Sequence, residues 1–282
     1  MLLDKIHGRG INYKYGETKS PVKYVVGNMI VLSRRPPGLH IKQVWFAEQP
    51  EEVDDCDIVQ FYYCRKDIEM DGFTKHPVCS IVVDLSQGEE KVWSNISRNM
   101  RTGIRKAMDE GIVVIHNEDS AEFLELNKKF RAEKEILAIN YPPEFVKEHC
   151  QLWTVRKDGE LMVGLLMLVD APHMLGLLAA SKRLEADKGE AAYIANCNKL
   201  VWWEAIKYGL ANGVEDFDMG GYDDVPDKNA PVSGVSEFKR RFGGEVVHYL
   251  NYEKVYTLKA KLGKGTMKYL GGFRRYLYNR DW

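Results

Sequence analysis

The sequence predicts an α/β (α+β) protein with a mixed, mostly antiparallel central sheet flanked by helices. Three observations lead there. Residues 1–85 are strand-rich. Leu152–Arg156, Leu161–Val169 and Met174–Ala180 are short apolar runs separated by the turns Lys157-Asp158-Gly159-Glu160 and Ala171-Pro172-His173. Such runs pair as antiparallel neighbours. Ala191–Asn212 then places Leu200, Trp203, Ile206 and Leu210 at helical spacing, so one face turns inward.

In chain order, Val22–Leu32 reads as a strand or strand pair around Gly27-Asn28, a turn signal. Arg34-Arg35-Pro36-Pro37-Gly38 cannot continue either regular structure, because two prolines fix φ and remove donors. It is a loop, either a basic phosphate loop or a plain surface one. Ile58–Cys64 and Val78–Leu85 fit buried strands. Ser86-Gln87-Gly88-Glu89 fits a capping box that opens a helix to about Glu110, closed by Gly111. On it Arg98, Arg101 and Arg105 share a face. Ile112–Ile115 is a strand, and Ser120–Lys134 is a helix with Phe123, Leu126 and Phe130 on one side. Tyr141-Pro142-Pro143 interrupts the chain before a short helix, Pro143–Cys150. After the strand triplet comes a polar loop, Ser181–Glu190.

The stretch from Gly213 to Tyr252 organises the rest. Gly213 ends the long helix. A short strand follows, with Phe217 and Met219 on one face and Asp218 on the other. It runs into Gly220-Gly221, a backbone with no side chains to block a ligand. A polar loop leads to a short helix carrying Phe238 and Lys239, then Phe242-Gly243-Gly244 and an apolar strand. An acid beside a glycine pair, with one lysine returning, makes a candidate site. The plain alternatives are a tight turn and a solvated Lys-Arg-Arg helix face.

The ordered set Asp218, Gly220, Gly221, Phe238, Lys239, Phe242, Gly243, Gly244 resembles the Fem-type branch of the GNAT acyltransferase superfamily, which includes the peptidoglycan-bridge aminoacyltransferases. The likeness covers roughly residues 80–255. It implies two GNAT-like halves, a degenerate first half over 1–150 and an acyltransferase half over 151–255, which a basic aromatic tail follows over 256–282. It also implies that the start of the long helix, around Ala191, Ala192, Asn196 and Asn198, receives a cosubstrate's pyrophosphate on its backbone N–H groups. The usual superfamily glycine signature is absent there; Lys188-Gly189-Glu190-Ala191-Ala192 is a degenerate version. The helix from Trp93 to Ala107 resembles the one before the first central strand of Fem-type proteins, where Arg101 and Arg105 would meet a phosphorylated ligand.

Composition sets outer bounds. The chain has 282 residues, 45% hydrophobic and 29% charged, with a formal net charge of −1. That balance argues against a dedicated nucleic-acid binder. Cys56, Cys64, Cys79, Cys150 and Cys197 form no Cys-x-x-Cys pair, so neither a zinc site nor a disulfide framework is expected. The seven histidines are scattered, and no metal is expected. No apolar run reaches the ~18–20 residues of a membrane span. Met1-Leu2-Leu3-Asp4-Lys5 lacks a signal-peptide core, so the expected compartment is the cytoplasm. From Lys254 to Trp282 the net charge is +7, with aromatic residues interleaved. Such a tail can touch anionic membrane or nucleic acid, or pack its rings on the body.

Acyl transfer to an amine needs a proton acceptor, an oxyanion stabiliser and a protonated leaving group. Lys239 could stabilise the oxyanion or leaving group. Asp218 or Asp223 could take the ammonium proton, and Tyr222 could hydrogen-bond either partner. Phe238, Gly220 and Gly221 would line the substrate. His173 and His248 are bases or structural. The function expected is N-acyl transfer from acyl-CoA to the amine of a nucleotide-activated amino sugar or similar envelope precursor. The alternatives are aminoacyl transfer from aminoacyl-tRNA to a peptidoglycan precursor, and a non-catalytic binding protein that kept the fold.

Overall fold

In the computed structural model, residues 29–35, 38–135, 139–222 and 234–269 are described. The Gly27-Asn28 turn, Asp223 and the basic tail after Tyr269 lie outside them. The chain divides into two compact units, the described residues up to Pro77 with Tyr249–Thr266, and Val78–His248. The chain passes between the units after Pro77 and after His248. Two strands, β4 (Phe73–Asp84) and β10 (Glu245–Val255), carry the chain across it.

In the first unit the strand order is β1 (Ile30–Arg34), β2 (Ile41–Trp45), β3 (Ile58–Cys64), β10. β1–β2 and β3–β10 are antiparallel, and β2–β3 is parallel. Val44, Val59, Phe61 and Tyr252 form the core of this unit. Helix α7 (Leu258–Tyr269) begins the basic tail. Two of its cations are engaged, Lys259 with Asp57 (2.9 Å) and Lys264 with Glu253, while Lys254 just before it pairs with Glu52 (2.5 Å). Tyr256 donates its hydroxyl hydrogen to Glu52, and its oxygen accepts from Val53 N. The start of the tail thus packs on its own unit.

The second unit follows the order β4, β9 (Asp216–Gly221), β8 (His173–Ser181), β7 (Glu160–Asp170), β6 (Cys150–Lys157), β5 (Val114–His116). All neighbours are antiparallel except β8–β9. β7 is buried almost throughout, as its unbroken apolar run requires. Helix α5 (Lys188–Ala211) packs on β6 and β7 and against α2 (Arg98–Asp109). Trp202, Trp203, Phe217, Met219 and Phe242 join Ile81 and Val83 in the core beneath it. Helix α3 (Ser120–Glu133) covers β7 and β8, with Phe123 filling the space over Gly164. Helix α4 (Pro143–His149) leads directly into β6.

The single helix expected from Ser86 to Glu110 is three pieces. Asp84, not Ser86, caps a 3₁₀ turn over Leu85–Gln87. Helix α1 (Glu89–Asn95) ends at Ile96, which is extended, and α2 restarts at Arg98. Long-range partners hold the break. Arg101 Nη1 donates to Trp93 O and Ser94 O, carbonyls that a continuous helix would have used itself (3.2 and 2.8 Å). Ser97 N donates to Arg241 O (2.8 Å).

Candidate functional site

The candidate corner is built where β9 ends. The β8–β9 ladder stops at Leu175↔Asp218, although both strands continue. Gly220 has φ +77° and lies against β8, where a Cβ would stand 2.8 Å from Gly176 O. Glycine meets both demands. The carboxylate of Asp218, 6% exposed, folds back over this turn. It accepts from Gly220 N (2.7 Å) and from the hydroxyl of Ser80, a fully buried serine on β4.

Lys239 comes from the other side. It sits on the short helix α6 (Gly234–Arg240) and is 5% exposed. Its ammonium donates to Gly221 O at 2.7 Å. A Cβ on Gly220 would be 3.6 Å from that nitrogen. The glycine pair, the Asp218 carboxylate and the Lys239 ammonium therefore meet at one strand end. Burying an ammonium is costly without oxygen partners, so the carbonyl at Gly221 is part of what holds Lys239 there.

Aromatic packing aims α6. Phe238 stands edge-on to Phe242 and Trp202, with centroids 5.3 and 6.3 Å away. Phe242 is fully buried. Gly243, at φ +80°, brings the backbone onto the end of α1, where a Cβ would sit 2.4 Å from Asn95 O. Beside Gly244 a Cβ would meet Ile81 and Val82 O at 2.7 Å. The Phe-Gly-Gly signature is thus a close-packing device that fixes the helix carrying Lys239.

Tyr222 N donates to Cys79 O (2.8 Å), which puts Tyr222 at the same end of the sheet. Cys79 Sγ lies 3.1 Å from His248 Nδ1. His173 pairs with Asp216 (3.0 Å) at the far end of β9, five residues and about 16 Å of strand from Gly221. Arg101 caps α1 as described, and Arg105 lies over the Trp93 ring at 5.4 Å.

The start of α5 differs from expectation. It begins at Lys188, earlier than Ala191, and Asp187 caps it by accepting from Glu190 N (2.9 Å). Ala191 N already donates to Asp187 O, so the amides of Ala191, Ala192, Asn196 and Asn198 lie inside the helix. Ser80 was missed, and so was the pairing of Cys79 with His248. Ser80 meets Asp218 across 138 residues, and no local pattern announces such a pair.

Residues 190–257 match the model of the FemAB family, described as such. That stretch contains β9, α6, all of β10 and most of α5. A crystal structure of FemX matches with a TM-score of 0.58 at 12% identity, over 91% of this chain and 90% of that one. The fold is like that of FemX. L-PGS from Bacillus licheniformis matches at 15% identity and TM-score 0.49, over 86% of each chain. A GCN5-related N-acetyltransferase-like protein from Streptococcus suis 89/1591 matches at 10% identity and TM-score 0.37, over 84% of this chain and 90% of that one. No curated protein matches the sequence. Among the described residues no helix is long and apolar enough to cross a membrane, and no His, Cys, Asp and Glu cluster could hold a metal ion.

Proposed function

We propose that the chain is an aminoacyltransferase of the Fem type, passing an aminoacyl group from aminoacyl-tRNA to the amine of a cell-envelope precursor. The observation that carries this reading is the buried Lys239 ammonium at the Gly220-Gly221 strand end, inside the stretch that matches the FemAB model. In this reaction the acceptor nitrogen attacks the ester carbonyl, and the carbonyl oxygen takes up negative charge. The bond to the ribose oxygen then breaks. The nitrogen loses a proton and the leaving oxygen gains one. Lys239, itself 5% exposed, supplies a fixed positive charge to the oxyanion or the leaving oxygen. The side-chain-free turn lets the ester approach the backbone.

The start of α5 supports this donor over acyl-CoA. A pyrophosphate docked there would meet the Asp187 carboxylate, which already accepts from the Glu190 amide. Like charges at that helix end oppose a polyanion. Acyl-CoA, the donor first expected, is therefore the second reading.

Thermal shift and turnover separate the two. Aminoacyl-tRNA should raise the melting temperature and transfer its aminoacyl group, while acetyl-CoA and free coenzyme A should do neither. Lys239→Met should cut turnover by about a hundredfold or more, the usual cost of losing one oxyanion partner, with donor binding retained. A coenzyme A shift with no response to charged tRNA would reverse the assignment. Unchanged turnover in Lys239→Met would remove Lys239 from the mechanism.

A further inference from the structure

Helices α2 and α5 do not close on each other completely. Between them lies a cavity of about 470 Å³ lined by Arg98, Asn99, Thr102, Gly103, Lys106, Asn196 and Lys199. Its walls are basic. Lys199 Nζ stands 3.1 Å from Asn196 Oδ1, and no carboxylate among the described residues pairs with it. Partial burial lowers its affinity for a proton, and the charges of Arg183 and Arg241 lower it further. Arg98 also has no acidic partner among the described residues. The other cations nearby are compensated in part. Lys106 lies 3.7 Å from Glu110, and Arg241 pairs with Glu237 at 2.9 Å.

A half-buried lysine in the field of two arginines is an electrostatic cost unless an anion joins it. The surrounding groups suit one chemistry. Lysine and arginine offer charged donors, Thr102 a hydroxyl and Asn196 an amide, the donor set that oxyanions of phosphorus take. Gly103 makes room for it. A Cβ there would fall 2.5 Å from Lys199 Nζ and 2.8 Å from Asn196 Oδ1, so any larger residue pushes the ammonium away.

We propose that the cavity between α2 and α5 is a binding site for the phosphoryl groups of a small phosphorylated molecule, with Lys199 and Arg98 as its principal anchors. The basic groups are confined to a short open groove between two helices, whereas a nucleic-acid footprint is an extended basic stripe. The volume also holds more than a bare phosphate, since pockets of a few hundred Å³ take drug-sized ligands. The site stands apart from the acyl-transfer reading, because its residues and its ligand chemistry are argued without Lys239. It is nevertheless joined to the turn that follows α6, through Ser97 N to Arg241 O and through the charge of Arg241 on Lys199.

The test is isothermal titration of the full chain, at low salt, with inorganic pyrophosphate, orthophosphate and a nucleoside diphosphate. Saturable binding of pyrophosphate is expected. Lys199→Met should weaken it about tenfold or more, the usual worth of one charge-assisted hydrogen bond. Gly103→Ala should weaken it comparably through displacement of Lys199. The atoms displaced are the end of a flexible side chain, and alanine favours the helix, so the melting temperature should hold or rise. A tighter nucleoside diphosphate identifies a nucleotide as the source of the phosphoryl groups, and equal affinities identify a free anion. The proposal fails if the wild type binds none of the three. It fails also if both variants bind as the wild type does, or if only an RNA oligomer binds and pyrophosphate does not compete.

Discussion

Asp218 and Lys239 lie on either side of Gly220, yet the two are held differently. Both oxygens that Lys239 would serve in catalysis belong to substrate, whereas Asp218 already accepts from Ser80 and from Gly220 N. A carboxylate with those donors is a better turn-holder than a proton acceptor, because taking a proton would weaken bonds that define the turn. Asp218→Ala leaves a buried hydroxyl and a buried amide without their acceptor, at about 1–3 kcal/mol for an unsatisfied group. Chemical denaturation should therefore show a loss of about 2 kcal/mol or more. Asp218→Asn keeps an acceptor oxygen and should retain most of the turnover. If Asp218→Asn instead abolishes turnover while denaturing normally, Asp218 is the base.

At the scale of elements, the turn between α6 and β10 controls where Lys239 points. Gly243→Ala places a Cβ 2.4 Å from Asn95 O at φ +80°. The cost combines left-handed strain of about 1–2 kcal/mol with a clash against backbone that cannot rotate away. Its melting temperature should drop by several degrees or more, and turnover should fall in the protein that remains folded. A variant as stable and active as wild type would mean that the turn does not position α6. This device was legible in the sequence as Phe242-Gly243-Gly244, because glycine is required locally. The β6–β7–β8 meander and the body of α5 were legible for the same reason, through turn residues and apolar periodicity. The break between α1 and α2 was not. Arg101 reaches back to the carbonyls of α1, and Arg241 O, far along the chain, caps the start of α2. Capping-box logic saw only Ser86 and Glu89. The start of α5 was misplaced by a single feature, Asp187, whose capping role was overlooked in a polar loop.

At the scale of the molecule, the first unit depends on a piece of chain that returns after some two hundred residues. Composition and periodicity do not reveal that return, because each segment looks like an ordinary strand or basic tail on its own. Its chemistry is concentrated at Asp57. The carboxylate accepts from His40 N (2.7 Å) and Thr257 Oγ1 (2.6 Å), and it pairs with Lys259 (2.9 Å). Burial by itself would raise its pKa, but the bonds from Thr257, Lys259 and His40 outweigh burial and hold it at about 2. The folded value lies below the ~3.9 of a free aspartate. Its contribution is therefore complete above about pH 4 and is lost as pH falls toward 2. Wild-type stability, followed by denaturant titration at successive pH values, should decline across that window. Asp57→Asn should be less stable at neutral pH, and its loss between pH 4 and 2 should be smaller. Parallel curves for the two proteins would show that Asp57 does not link the returning segment to acid stability.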